Sequence, residues 1–159
     1  MKRKCFLVFA AISLTVVFSD ILWASGKESK TNISPKSAGH SNRAAENKAK
    51  EALEALRAAY TQGSQDHFFR GVHEQPYFSY NDLKSNVTSH LTKQGQMDLL
   101  FFTDRVLSEK DKVAIKTHWQ KRFVDNATGS VAKNEGHAEF IFVVNESAQL
   151  VDIRGDNPF

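Results

Sequence analysis

The stretch MDLLFFTDRVLSEKDKVAIKTHWQKRF, residues 97–123, decides the fold. It is rich in β-branched and aromatic residues, and its apolar positions alternate. Val113, Ile115, Thr117 and Trp119 alternate with Ala114, Lys116, His118 and Gln120, the pattern of a half-buried strand. Leu99 to Phe102 is apolar on both faces. That strand is covered on both sides, or offers one face to another subunit. Strands are expected at 97–107, 112–123, 133–144 and 149–154. The turns between them (108–111, 125–129 and 145–147) are short or polar, so consecutive strands pair as an antiparallel meander.

Upstream, the period changes from two to that of a helix. Ala45, Ala49, Ala52, Leu53, Leu56 and Tyr60 share one face of a helix over 42–62, with Glu46 four residues before Lys50. Gly63 is a C-terminal stop. Ser64 caps a short second helix carrying Phe68, Phe69 and Val72, which Pro76 prevents from extending. Ser79 with Asp82 starts a third, striped by Leu83, Val87 and Leu91 and ended by Gly95. Three helices before four strands predict an α+β fold, with N-terminal helices packed on a curved antiparallel four-stranded sheet in a cone-like roll. The 117 residues of 43–159 suffice for one core without disulfides.

The first 25 residues read as an address. Lys2, Arg3 and Lys4 precede an apolar run from Cys5 to Phe18, and Ala24, Ser25 and Gly26 offer small residues for cleavage. This is the layout of a secretory signal peptide, and it places the mature chain in a bacterial periplasm or outside the cell. The run is shorter than the roughly 20 residues of a membrane span, so none is expected after cleavage. Residues 26–42 are polar, with Pro35 and Gly39, and read as a flexible linker to the domain at 43–159. Cys5 is the chain's only cysteine, so cleavage excludes disulfide and thiol chemistry. The formal charge is +3, but removal of residues 1–25 leaves 18 basic against 17 acidic residues. That balance lacks the basic stripe of a nucleic-acid binder.

The order of elements resembles the nuclear transport factor 2-like superfamily, the cone-shaped α+β fold that includes ketosteroid isomerase and the polyketide cyclases. The resemblance rests on Trp119 near a strand end, Gly136-His137-Ala138-Glu139-Phe140 opening the next strand, and the closing Val151-Asp152-Ile153-Arg154-Gly155-Asp156-Asn157-Pro158-Phe159. These features look like secreted bacterial members of that fold. Where members usually carry a hairpin between the second and third helices, only 75–80 is available. A simpler cystatin-like roll is the alternative. The resemblance implies a largely apolar cavity between helices and sheet, used by some members for acid–base chemistry and by others to bind a ligand.

The candidate ligand-binding residues are Tyr77, Tyr80, Phe101, Trp119 and Phe140. An acid–base enzyme would need a carboxylate in an apolar pocket, and Asp104, mid-strand, is the candidate, with Arg105 and Arg154 as partners. His90, His118 and His137 are scattered, and no histidine pair has a zinc-site spacing. His137-Ala138-Glu139 lacks the Pro-Cys-x-x-Cys partner of zinc deaminases. No metal or cofactor is therefore expected. Gln149-Leu150-Val151-Asp152-Ile153 lacks the glycine of a cystatin inhibitory loop, and Arg154-Gly155-Asp156 is a chance match to an adhesion tripeptide that leads into a turn returning Phe159 to the core.

The leading expectation is an exported, non-enzymatic domain that binds a small apolar ligand or an envelope protein partner. The alternatives are an isomerase- or cyclase-like enzyme using Asp104, and a homodimer built on the outer sheet face. The dimer is favoured if that face is apolar and the cavity is filled.

Overall fold

Alanines let the first helix lie close to the sheet. The computed structural model describes residues 38–159; the expected signal peptide and most of the expected linker lie outside them. Helix α1 spans Ala38–Thr61, so its first five residues fall in the stretch read as linker. Ala49, Leu53, Leu56 and Tyr60 are buried along its inner face, at the spacing the sequence implied. The helix stops at Gly63, whose φ of +73° suits glycine, and the amides of Gly63 and Ser64 reach back to the carbonyls of Tyr60 and Ala59. Helix α2 is Gln65–Arg70. Ser64 precedes it but makes no side-chain cap; its hydroxyl lies 2.6 Å from His67 Nδ1. Val72 falls outside this helix. Helix α3 is Tyr80–Lys93, and Ser79 Oγ accepts the Asp82 amide at 3.3 Å as the capping pattern predicted.

Four strands follow: β1 Gln94–Glu109, β2 Lys112–Asp125, β3 Val131–Val144 and β4 Ala148–Gly155. They pair antiparallel in the order β1-β2-β3-β4, which is the expected meander. Each begins or ends a few residues beyond its sequence bounds, because ladder bonds continue into polar flanks that carry no alternation signal. Val113, Ile115, Thr117, Trp119 and Lys121 of β2 all point inward and are buried. In β1 the inward set is Met97, Leu99 and Phe101, until a bulge between Thr103 and Arg105 leaves Asp104 without a partner on β2. After the bulge the phase has changed, and Val106 packs on the core.

The short 75–80 connection has a structural role of its own. Val72 forms a parallel bridge with Leu150. The amides of His73 and Tyr77 donate to the carbonyls of Leu150 and Val151, and the Leu150 amide donates to Gly71. Residues 71–77 thus cover the open edge of β4 at Leu150 and Val151. At the chain's end Gly155, at φ +85°, turns the backbone inward, and Phe159 enters the core.

Candidate functional site

The sheet brings Phe101, Trp119 and Phe140 together on its concave face, beneath the helices. Phe159 packs between them and the helices. Phe159 is 1 % exposed, and its ring lies 4.8 Å from Phe68, 5.2 Å from Tyr60, 5.9 Å from Phe140 and 6.2 Å from Phe101. Such edge-on packing adds to the area buried. Trp119 Nε1 donates to the Asp156 carbonyl at 2.8 Å and helps hold the terminal segment in place.

Tyr77 and Tyr80 are not part of this constellation. Tyr77 is exposed at the far end of the sheet, where Lys112 Nζ donates to its hydroxyl at 3.1 Å. It lines a hollow of about 630 Å³ with His73, Gln75 and the 109–112 turn. Proline placed it in a connection, as expected, but the connection follows the edge of β4, away from the concave face. Tyr80 opens α3 and packs against Phe69 at 5.4 Å. Asp104 is exposed on the β1 bulge, and alternation from the inward Met97, Leu99 and Phe101 already places it on the outer side with Leu100 and Phe102. Arg154 is on the outer face, paired with Asp152 at 2.9 Å and Glu139 at 3.7 Å, and Arg105 is exposed. The carboxylate that an acid–base enzyme needs is not supplied by Asp104.

A different polar cluster lies inside. Lys121, 3 % exposed, donates from Nζ to the Pro158 carbonyl at 2.9 Å and to Tyr60 Oη at 3.3 Å. Its ammonium also faces the Tyr60 and Phe123 rings at 5.6 Å. Tyr60 Oη is in turn 3.0 Å from His90 Nδ1 on α3. Burial pulls the Lys121 amine down to about 8 and pushes the Tyr60 phenol upward. His90 is held below its ordinary value by burial first, then by Lys121 and Lys93. This row links the terminal segment to α1 and α3. Strand alternation was the available signal, since Lys121 shares the inward phase of Trp119.

The outer sheet face presents both signs of charge around an apolar strip. Leu100 is 52 % exposed, Phe102 44 % and Leu107 41 %. They sit beside Gln120, His118 and Ala114 of β2. Around them Arg105, Lys116, Arg122, Lys133 and Arg154 alternate with Asp98, Glu135, Glu139 and Asp152. Lys116 and Arg154 flank Glu139 at 3.6 Å and 3.7 Å. His118 and His137, scattered in the sequence, are register partners here. Among the described residues no helix is long and apolar enough to cross a membrane.

No family model and no curated relative matches the chain. Solved structures do. One is a nuclear transport factor 2-like superfamily protein from Salmonella enterica serovar Typhimurium, with a TM-score of 0.63 and 10% identity over 74% of this chain and 93% of that one. A second is a proposed dehydratase of the same family from Streptomyces avermitilis, with a TM-score of 0.60 and 8% identity over 72% and 96% of the two chains. A third is the association domain of C. elegans CaMKII, with a TM-score of 0.56 and 11% identity over 74% and 98%. The chain has the nuclear transport factor 2-like fold, an α+β roll. One neighbour of that fold is a proposed dehydratase and another an association domain, so the fold does not select a function.

Proposed function

We propose that this chain is an exported association module that pairs with a second copy of itself through the outer face of its sheet. One observation carries the reading. Leu100 and Phe102 are about half exposed on a strand whose other face packs Met97, Leu99 and Phe101 against the core, while Phe159 occupies the interior between sheet and helices. An apolar strip of this kind, rimmed by polar groups, is what a contact surface looks like. Cations and carboxylates are nearly balanced across the face, so two copies brought together do not repel, and each sign can meet its opposite. The likeness to an association domain points the same way. Export rests on the Lys2-Arg3-Lys4 and apolar-run pattern of the leader.

Sedimentation of the secreted protein tests the reading. The wild type should run as a dimer, and Phe102→Glu should run as a monomer with an unchanged circular dichroism spectrum. A monomeric wild type, or a dimer indifferent to Phe102→Glu, overturns it. The intact mass of the secreted chain should show cleavage after Ala24 or a residue or two later; a full-length mass removes the export claim.

A further inference from the structure

We propose that His118 and His137 form half of a metal site, which the same two histidines of a second copy complete, so that a zinc-class ion ties two chains together. The inference rests on the association reading above. The β2–β3 register sets His118 directly opposite His137, and both side chains leave the outer face. Their ring centroids are 5.7 Å apart, with the planes at 39°. Two imidazoles on one tetrahedral ion, with metal–nitrogen bonds near 2.0 Å, place their centroids about 5 Å apart. A small rotation of either ring closes that difference. The Phe102 ring stacks on His118 at 4.7 Å and 16°, which restricts where His118 can point.

A hollow of about 490 Å³ opens over the pair, lined by His118, Glu135, Gly136 and His137. The nearby Glu139 is engaged by Lys116 and Arg154. Among the described residues no group of three histidine, cysteine or carboxylate side chains is placed to hold a metal. One chain therefore offers two nitrogen donors where a closed tetrahedral site takes four. The missing two must come from outside, and the face that carries the pair is the face argued to meet a second copy. Imidazole donors select zinc, copper or nickel over magnesium and calcium.

The test is sedimentation of the full secreted chain after EDTA treatment, with zinc ion alone added back, beside His118→Gln and His137→Gln. The proposal expects one zinc per two chains, at least a tenfold fall in the dimer dissociation constant, and loss of that fall in both variants. Cobalt substituted for zinc should give the visible absorption of a tetrahedral nitrogen site. A dimer equally tight in EDTA and in zinc overturns the metal site and leaves the association reading standing. Zinc tightening that survives both substitutions also overturns it. A chain that stays monomeric while binding zinc one to one removes both readings.

Discussion

Replacing Lys121 with methionine should change how stability depends on pH more than it changes stability at neutrality. In the folded chain burial holds the amine at about 8 against an ordinary 10.5. Below pH 8 the amine is charged both folded and unfolded, and the fold carries the full penalty of the buried charge. Between those two values the unfolded chain binds the proton that the folded chain has released, so stability rises with pH. The rise amounts to about 3 kcal/mol, at 1.36 kcal/mol per unit. Above about pH 10 the trend reverses, because the Tyr60 phenol, pushed up by burial, stays protonated in the fold while the unfolded chain ionises. Wild-type stability should therefore crest near pH 10. The Lys121→Met change removes the buried charge at pH 7, but leaves the Pro158 carbonyl without its donor, at a cost of about 1–3 kcal/mol. The two terms nearly cancel at pH 7, and the variant should fall about 3 kcal/mol behind the wild type by pH 10. Urea unfolding followed by circular dichroism at pH 7, 8, 9 and 10 measures this. Parallel profiles for the two proteins would refute the reasoning.

Two further substitutions probe the same packing. His90, lowered chiefly by burial and then by its lysine neighbours, resists protonation in the fold, so stability should drop as pH falls below about 6.5. His90→Gln should flatten that acid limb in urea titrations, and an unchanged limb assigns it to other groups. Gly155→Ala would put a side chain at φ +85° with its Cβ 2.5 Å from the His137 carbonyl. It should cost at least about 2 kcal/mol, on the order of 10 °C in Tm, and a thermal scan showing no loss would mean the terminal turn is not held as described.

The readable part of the fold was the part governed by local periodicity. Alternation in β2 needed only the pleat, and the α1 stripe needed only the 3.6-residue turn. The Ser79–Asp82 cap was legible because both partners lie within one turn of α3. The exposure of Asp104 was not legible because Leu99 to Phe102 is apolar on both faces, so the pattern does not say which face of β1 turns inward, and the bulge beside Asp104 carries no two-residue signature. That Tyr77 stands apart from Phe101, Trp119 and Phe140 was not legible, because Pro76 marks a connection without saying which surface that connection follows. Lys121 was within reach of the same alternation that placed Trp119, but its charge argued for an outward side chain.

Composition and periodicity thus determined that three helices precede a four-stranded meander, and which face of α1 and β2 turns inward. They did so because propensity, capping and amphipathic patterning act over a few residues. Tertiary structure alone decided which rings Phe159 meets, that Lys121 meets Pro158 and Tyr60, and that His118 stands beside His137. Each of these joins residues remote in sequence, and only strand register and the path of the chain bring them together.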